Sequence, residues 1–185
     1  MPIGAVKNVL MDTAGTSRAV TRIAYEIIER SQGAENTVII GIQKKGVDLA
    51  RAIIERINEI EGVELPLGSL DITFYRDDLT RLNEHPIVRG NDIAFAIEDK
   101  NIVLVDDVLY SGRTIRAAVE SLFDMGRPAR IQLAVLVDRG GRELPIQPDF
   151  SGIYAPASKN EYINVNIGEN GEIKEVTIHD REVRE

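Results

Sequence analysis

The sequence predicts an α/β fold in which a parallel sheet is flanked by helices and a small β hood or hairpin lies near the C-terminal end. Short β-branched runs, of the kind that sheets bury on both faces, alternate with amphipathic helical patterns of roughly 10 to 15 residues, as in βαβ units. The tail then changes to two strand-like runs around an Asn-Gly pair, which is a strong hairpin signal.

The first element is an amphipathic helix near the start of the chain. Its apolar residues follow helical spacing, with Thr16 or Ser17 available as the N-cap and Gly33 beyond the end. These apolar residues are Val20, Ile23, Ala24, Ile27 and Ile28. Residues 37–42 follow as a short β-branched run, which predicts a strand covered on both faces.

A second helix is predicted after the loop from Gly41 to Gly46. Its apolar residues follow helical spacing, and it ends near Gly62. The two loop glycines are spaced as in a Walker A loop, but Val47 and Asp48 stand where that motif has Lys and then Ser or Thr. The sequence therefore disfavours nucleotide hydrolysis.

A third strand is predicted where Leu70, Ile72 and Phe74 alternate with polar residues. Residues 76–92 then form a polar stretch of about 17 residues, which is longer than most loops inside a compact domain. Such a length predicts a loop with a function of its own.

The second half of the chain repeats the pattern of strand, helix and strand. Residues 102–105 and 131–137 are apolar, strand-like runs on either side of a helical segment that stops at residues 126–128, Gly-Arg-Pro. The apolar face predicted for this helix consists of Ile115, Ala118, Val119, Leu122 and Phe123.

The tail is predicted to form a β-hairpin. Residues 162–167 and 172–178 are strand-like and flank the turn at residues 168–171. We expect a C-terminal β element at about residues 153–180, docked on the sheet. Because no linker rich in Pro, Gly or Ser divides the chain, we expect residues 1–185 to form a single domain.

Composition excludes several kinds of site. The 185 residues include no Cys and two His, which rules out disulfides and zinc clusters, so any metal must be held by oxygen ligands. Lys and Arg number 22 against 30 Asp and Glu, a charge of −8 that disfavours bulk attraction to nucleic acid. With no membrane-length apolar run and no signal-peptide pattern at the start, we expect a soluble, cytoplasmic protein.

The strongest candidate site follows the apolar run at residues 102–105. Asp106 and Asp107 stand at its carboxyl end, and a turn containing Gly112 leads into the next helix. Carboxylates accept hydrogen bonds from sugar hydroxyls, and backbone N–H groups at a helix start bind phosphate, so a ribose 5-phosphate fits this pattern. The alternative is that the carboxylates only solvate a strand end and that Ser111 or Thr114 is a helix N-cap.

Several motifs resemble one known family. The run Val-Asp-Asp-Val-Leu-Tyr-Ser-Gly-Arg-Thr at residues 105–114 resembles the signature of type I phosphoribosyltransferases, which binds phosphoribosyl diphosphate (PRPP). Residues 70–79, 126–128, 133–140 and 142–145 resemble the family of pyrimidine operon attenuation regulators with uracil phosphoribosyltransferase activity. The resemblance extends over about residues 21–167. It implies the type I phosphoribosyltransferase fold and a homodimer or larger homo-oligomer.

The resemblance implies a role for each part of the site. Asp106, Asp107 and Arg76 would be catalytic, with the two carboxylates accepting the ribose hydroxyls. Backbone groups around the 5-phosphate would complete the PRPP site. The PRPP-binding residues would be Asp106, Asp107, Val108, Leu109, Tyr110, Ser111, Gly112, Arg113 and Thr114.

Three further segments receive roles from the same resemblance. Lys44 and Lys45 would bind pyrophosphate, although their spacing also suits a solvated turn. Arg76, Asp77 and Asp78 would open a flexible active-site loop at about residues 75–92, which contains the weak candidate His85. The uracil-binding residues would be Asp138, Arg139, Gly140 and Ile163, the first three of which also suit a strand-end cap.

The reaction implied is displacement of pyrophosphate from C1 of PRPP by N1 of uracil, which forms UMP. Mg²⁺ would enter with PRPP, held by substrate oxygens and water, and we expect no permanent metal. Guanine, hypoxanthine and orotate stay open as alternative bases from the PRPP signature alone, and the motifs outside it favour uracil.

The family also binds messenger RNA in a UMP-dependent way. Thr21, Arg22 and Arg142 fit such a face. Four other positions depart from the family pattern by losing expected polar or basic groups, which weakens phosphate contact. These are Tyr25, Gly141, Gln147 and Ile153. These departures argue against strong RNA binding. The alternative function that the resemblance leaves open is a UMP-sensing, RNA-binding regulator of transcription attenuation with weak or no catalysis.

Overall fold

The computed structural model describes residues 5–72 and 91–180. Its strands are β1 (Val6–Met11), β2 (Thr37–Ile42), β3 (Leu67–Leu70), β4 (Asn101–Leu109), β5 (Arg130–Asp138), β6 (Phe150–Tyr154), β7 (Glu161–Ile167) and β8 (Ile173–Asp180). Its helices are α1 (Thr13–Ser31), α2 (Lys45–Glu61) and α3 (Arg113–Met125). None of the helices in these two ranges is long and apolar enough to span a membrane.

The described strands form two sheets. β3, β2, β4, β5 and β6 lie side by side, in that order, in a parallel sheet. β1, β8 and β7 form an antiparallel sheet that contains the predicted hairpin. α1 and α2 pack on one face of the parallel sheet and α3 on the other. The predicted α/β fold with a small β element is confirmed.

Two clusters of buried apolar side chains hold these layers together. The first joins α1, α2 and the parallel sheet to the antiparallel sheet, with Ile23, Ile53, Val103, Val165 and Val176 among its members. The second lies between the parallel sheet and α3. Each fully buried aliphatic side chain contributes about 1.5 to 3 kcal/mol. The antiparallel sheet is therefore fixed against α1 and α2 by the same apolar packing that holds the helices to the strands.

Several predicted boundaries differ from the structure. The N-cap of α1 is Asp12, whose Oδ1 accepts a hydrogen bond from the Gly15 N–H at 2.7 Å, and not Thr16 or Ser17. Thr16 is buried in the first turn, with its hydroxyl 3.1 Å from the Ile173 carbonyl oxygen of β8. The third strand ends at Leu70 instead of continuing toward Phe74, which lies outside the described residues.

The sequence analysis does not predict β1 or β6, and the buried face of α3 is narrower than its apolar spacing predicts. β1 and β6 are short, and each depends on a distant partner, β8 and β5 respectively. The apolar spacing predicts Phe123 on the buried face of α3, but Phe123 is 55% exposed in the structure, and Ala117 is buried on that helix instead. Eight positions along a helix amount to 80° beyond two full turns, which carries Phe123 to the edge of the stripe that starts at Ile115.

Candidate active site

The candidate residues lie where β2, β4 and β5 end, because parallel strands bring their carboxyl ends to one edge of a sheet. Contacts connect the three strand ends directly. Lys45 Nζ, after β2, lies 4.0 Å from Asp107 Oδ2 of β4. Arg139, after β5, donates its N–H to the Leu109 carbonyl of β4 at 2.9 Å. The structure thus brings three separately predicted segments into one site.

Asp106 and Asp107 occupy the last part of β4, although the sequence suggested that they follow the strand. Asp106 is 8% exposed, and its Oδ1 accepts a hydrogen bond from the Asp107 N–H at 2.9 Å. Burial, and then the neighbouring Asp107 charge, raise the pKa of Asp106 well above its ordinary value of 3.8. The pair therefore presents one deeply buried carboxyl group and one more accessible carboxylate beside a lysine.

The start of α2 is pressed against the end of β4. A Cβ atom at Gly46 would lie 2.5 Å from the Val105 carbonyl oxygen, and one at Gly41 would lie 2.5 Å from the Val47 Cα. Only glycine fits such close backbone contacts. The Gly41 and Gly46 spacing that resembles a Walker A loop is thus explained by packing, and it places Lys45, the first residue of α2, beside Asp107.

Lys44 and Lys45 have different surroundings. Lys44 is the N-cap of α2 and is exposed. Lys45 is half-buried, and its Nζ donates a hydrogen bond to Asn164 Oδ1 of β7 at 2.9 Å. Sequence reasoning missed Asn164, and the available signal was its place on the polar face of β7, opposite to that of Ile163 and Val165.

The turn after β4 leaves the N-terminus of α3 without a side-chain cap. Gly112 is the N-cap, with φ at 91°, a left-handed conformation that favours glycine. Ser111 Oγ accepts from the Arg113 N–H at 3.3 Å, and no acidic residue lies in the first turn of α3. The alternative interpretation of Ser111 or Thr114 as the N-cap is therefore not what the structure shows. First-turn N–H groups without a cap, at the positive end of a helix dipole, favour an anion.

The end of β4 and the start of this turn pack against the loop that follows β5. Leu109 is buried, Val108 is half-buried, and the centroid of the Tyr110 ring lies 3.9 Å from the Arg139 guanidinium carbon. On the other side, a Cβ atom at Gly141 would lie 2.5 Å from Tyr110 Cε2. The ring therefore fills the space between Arg139 and Gly141 and fixes one loop against the other.

The side chains of Asp138 and Arg139 make internal contacts. Asp138 Oδ1 accepts from the Gly140 N–H at 2.9 Å, and Arg139 Nη2 donates to the carbonyl oxygens of Ser158 at 2.8 Å and Glu161 at 3.0 Å. Both residues are buried. Ile163 lies in β7, two residues beyond Glu161, with its side chain in the core. These contacts fix the backbone between β5 and β7.

Arg142 organises the strand-end loops from within. Its guanidinium donates to Asp138 Oδ1 at 2.7 Å and to the carbonyl oxygens of Ile146 at 2.8 Å and Tyr110 at 3.0 Å. The Arg142 side chain is only 13% exposed, so it does not belong to an exposed basic face. These contacts give Arg142 a structural role, and its contact with RNA stays a prediction. In the sequence, the ion pair between Arg142 and Asp138 is indicated only by their opposite charges four residues apart.

Thr21 and Arg22 lie on the outer face of α1, next to Tyr25, which is 55% exposed. Arg22 Nη2 donates to the Ser151 carbonyl oxygen at 3.0 Å, and its Nε lies 3.6 Å from Glu26. The Thr21 hydroxyl donates to the Ser17 carbonyl oxygen at 2.9 Å. This face is therefore mixed in charge and carries an exposed aromatic ring.

Four of the predicted residues lie outside the described residues, namely Arg76, Asp77, Asp78 and His85. The roles predicted for them stay predictions. The structure does show where the neighbouring chain is held, because Ser69 and Asp92 exchange two backbone hydrogen bonds of 2.8 and 2.9 Å beside β3.

Within residues 5–72 and 91–180, no group of three or more His, Asp or Glu side chains is placed to hold a metal ion. Asp106 and Asp107 are two carboxylates at one site. Such a pair suits Mg²⁺ that keeps most of its water and shares its other ligands with a phosphate-bearing substrate. The donor chemistry therefore fits an ion that arrives with its substrate.

Comparisons with known proteins agree with this geometry. Residues 10–168 match the family described as phosphoribosyl transferase domain. A protein of Acetivibrio thermocellus named Bifunctional protein PyrR is 56% identical over 173 residues, which cover 94% of each chain. The protein of the same name from Brevibacillus brevis is 54% identical over 163 residues, which cover 88% of this chain and 91% of the relative.

Solved structures show the same fold at lower sequence identity. The hypoxanthine phosphoribosyltransferase of Trypanosoma cruzi has a TM-score of 0.73 and 17% identity, covering 96% of this chain and 98% of its own. That of Staphylococcus aureus has a TM-score of 0.70 and 19% identity, covering 96% of this chain and 93% of its own.

The raised pKa of Asp106 predicts how stability depends on pH. The folded protein holds this proton more tightly than the unfolded chain does, so Asp106 makes the free energy of unfolding fall as pH rises from about 3.8 through its folded pKa. Asp106→Asn cannot ionise. Relative to wild type, its free energy of unfolding should increase with pH over that range and then level off, as measured by urea unfolding.

Two variants serve as comparisons in that experiment. Asp107→Asn removes the second cause of the raised pKa of Asp106, so it should reduce the pH dependence only in part. Asp124→Asn changes an exposed carboxylate on α3, so its free energy of unfolding should differ little from that of wild type at any pH in this range. A difference between Asp106→Asn and wild type that does not change with pH would contradict the buried, proton-holding carboxyl.

Arg142 is predicted to act through stability. Arg142→Ala leaves the buried Asp138 carboxylate without its cation and should lower the free energy of unfolding by about 3 to 5 kcal/mol in urea unfolding. Arg142→Lys should recover only part of this, because a single ammonium cannot reproduce a fork of donors. Arg56→Ala, which removes an exposed pair with Glu59, should cost about 0.5 kcal/mol. A loss no larger for Arg142→Ala than for Arg56→Ala would contradict the organising role.

Proposed function

Because the chain belongs to the phosphoribosyl transferase domain family, and within it to the proteins named Bifunctional protein PyrR, we propose that it transfers the phosphoribosyl group of PRPP to uracil. The products are UMP and pyrophosphate. The observation that carries this proposal is the juxtaposition of Asp106 and Asp107 with Lys45 on one side and the uncapped N-terminus of α3 on the other. PRPP is a ribose that bears one phosphate at C5 and two at C1. It needs acceptors for its hydroxyls, a cation for its diphosphate and backbone N–H donors for its 5-phosphate, all at one edge of the sheet.

The ribose and its 5-phosphate bind between β4 and α3 in this proposal. Asp106 and Asp107 accept hydrogen bonds from the 2- and 3-hydroxyls, and backbone N–H groups from Ser111 to Thr114 surround the 5-phosphate. Hydroxyl donors would replace some of the solvation that Asp106 loses on burial, which gives the buried carboxyl a function that a strand-end cap lacks.

Lys44 and Lys45 bind the pyrophosphate as it leaves. Lys45 already lies beside Asp107, so its charge would stand next to a ribose held by the two carboxylates, where the diphosphate departs in this proposal. Mg²⁺, held largely by the diphosphate oxygens and water on the side of Asp106 and Asp107, would supply charge neutralisation for the leaving group. Arg76 is proposed to assist from the loop. Because the attacking group is the base itself, the chain needs to orient reactants and exclude water, and no covalent nucleophile is required.

Uracil is read by the rigid backbone at the end of β5. The side chains of Asp138 and Arg139 are engaged in internal contacts, so they hold Gly140 and the neighbouring chain in place instead of reaching the base. Main-chain donors and acceptors fixed in this way discriminate among bases by their hydrogen-bonding edges. The backbone near Ile163 forms the other wall. The hypoxanthine phosphoribosyltransferases share only the fold at 17 to 19% identity, so they do not favour a purine here.

A second function is favoured by the name of the curated relatives, which are called bifunctional. We propose that the chain also binds a pyrimidine operon leader RNA in a UMP-dependent way through the outer face of α1. Arg18, Arg22 and the exposed Tyr25 offer cations and a stacking surface, while Glu26 and Glu29 lie on the same face. The mixed charge predicts binding that relies on stacking and shape more than on phosphate contacts.

The transferase proposal is tested by product formation. Purified protein with PRPP and Mg²⁺ should form UMP from uracil and no nucleotide from orotate, guanine or hypoxanthine. The double variant Asp106→Asn, Asp107→Asn, shown to be folded, should lower the rate by about a hundredfold or more, because its amides would not hold the ribose hydroxyls and Mg²⁺ as carboxylates do. Product from none of the bases would favour the nucleotide-sensing regulator instead.

The RNA proposal is tested by the salt dependence of binding. A pyrimidine operon leader transcript should bind more tightly with UMP present. Arg18 and Arg22 can make at most two phosphate contacts from this face. At about 0.7 per contact, the slope of log affinity against log salt concentration should be no steeper than about −1.4. Tyr25→Ala should weaken binding by about tenfold, through loss of base stacking. Equal binding of a scrambled transcript, with or without UMP, would contradict a regulatory role.

A further inference from the structure

A line of polar side chains connects the antiparallel sheet to the candidate active site. Glu175 Oε1 of β8 accepts a hydrogen bond from Asn166 Nδ2 at 2.8 Å, and Asn166 Oδ1 accepts from Asn164 Nδ2. Asn164 Oδ1 accepts from Lys45 Nζ at 2.9 Å, and that ammonium lies 4.0 Å from Asp107 Oδ2. We name these three residues, Asn164, Asn166 and Glu175, the amide relay.

The chemistry at its two ends fixes the direction of the amide relay. A carboxylate such as Glu175 only accepts hydrogen bonds, and an ammonium such as Lys45 only donates them. Asn166 must therefore turn its NH₂ group toward Glu175, and Asn164 must turn its carbonyl oxygen toward Lys45. Each amide has one orientation that satisfies both of its neighbours. Hydrogen bonds in such a chain polarise one another, so the Glu175 charge strengthens the acceptor that faces Lys45.

Strand register places the amide relay on one face. Ile163 and Val165 of β7 enter the core, so Asn164 and Asn166 lie together on the opposite face. Across the ladder, Asn166 is paired with Glu175 and Asn164 with Thr177, whose hydroxyl lies 3.5 Å from the Asn164 carbonyl oxygen. The half-buried side chains of the amide relay are thus held by a two-stranded ladder and not by a loop.

We propose that the amide relay is a positioning device for Lys45, which holds its ammonium at the pyrophosphate side of the site before PRPP binds. This inference rests on the proposed phosphoribosyltransferase function. A lysine has a flexible four-carbon stem, and fixing it in one conformation on binding costs entropy. An acceptor supplied in advance removes part of that cost. In this way the antiparallel sheet contributes to PRPP binding indirectly, because its Asn164 positions Lys45, which belongs to α2.

The alternative is that these hydrogen bonds only stabilise the β7–β8 hairpin. The two readings differ in where the effect of a substitution appears. A purely structural role lowers the free energy of unfolding and leaves the affinity for pyrophosphate unchanged. A positioning role weakens the binding of pyrophosphate and PRPP, raises the KM for PRPP more than the KM for uracil, and depends on the presence of Lys45.

The test is a double-mutant cycle read by calorimetric titration with Mg²⁺-pyrophosphate and, separately, with PRPP. Lys45→Ala should weaken both affinities by about tenfold, because it removes a charge-assisted contact. Asn164→Ala should weaken them by about three- to tenfold. In the Lys45→Ala background, Asn164→Ala should have no further effect, because coupled residues are not additive.

Four further variants complete the design. Glu175→Gln should stay within about twofold of wild type, because its carbonyl oxygen still accepts from Asn166, whereas Glu175→Ala should weaken binding by about threefold. Asn166→Ala serves in place of Asn164→Ala if the latter does not fold. Asn170→Ala is the matched control, since Asn170 bonds the Glu172 N–H in the hairpin turn and lies outside the amide relay, so affinity should not change.

The outcomes separate this inference from the proposed function. If wild-type protein binds neither PRPP nor Mg²⁺-pyrophosphate, the proposed function fails and the inference fails with it. If wild type binds both ligands and the folded relay variants bind equally well, only the inference is overturned. The same holds if Asn164→Ala weakens binding to the same degree with and without Lys45. Loss of affinity that disappears in the Lys45→Ala background supports the amide relay.

Discussion

Burial of the Asp106 carboxyl group beside the half-buried Asp107, at the end of the central strand, is the constraint on which the rest of the site depends. Asp106 is nearly excluded from water beside Asp107, and both burial and like charge oppose its ionisation. Two elements of the surrounding chain place positive electrostatic potential beside the pair. Lys45 faces the pair from α2, and the N-terminus of α3 follows it in the chain. Gly46 permits the first approach, since any larger residue would collide with the β4 backbone.

The same physical rule organises the support around the pair. Asp138 is buried, and Arg142 meets it with a fork of donors that also binds two backbone carbonyls. Arg139 is buried and joins the loop after β5 to the start of β7. Charges placed away from water therefore have fixed partners, and these partners connect elements that are distant in sequence. The parallel sheet positions the chemistry, and the antiparallel sheet steadies it through Arg139 and Asn164.

Local patterns were sufficient to predict much of this arrangement. The apolar runs of β2, β4 and β5, the periodicity of all three helices and the Asn-Gly turn come from interactions within a few residues. Their position at the carboxyl end of a parallel strand then pointed to Asp106 and Asp107, whereas the roles of Lys45 and Asp138 came from the family resemblance. The missed features depend on distant partners. β1 exists because β8 pairs with it, Arg142 is internal because Tyr110 and Ile146 turn their carbonyl oxygens toward it, and Asn164 meets Lys45 only once two sheets have packed. No short window of sequence contains such information.

The contact between Tyr110 and Gly141 has a consequence for how this chain can diverge. Gly141 has φ at 74°, and a side chain there would enter the space of the Tyr110 ring, which itself lies under Arg139. A larger residue at position 141 therefore requires the Tyr110 ring, and with it the Arg139 contact, to shift. Positions 110, 139 and 141 are thus coupled through packing, and the effects of substitutions at them should not be additive.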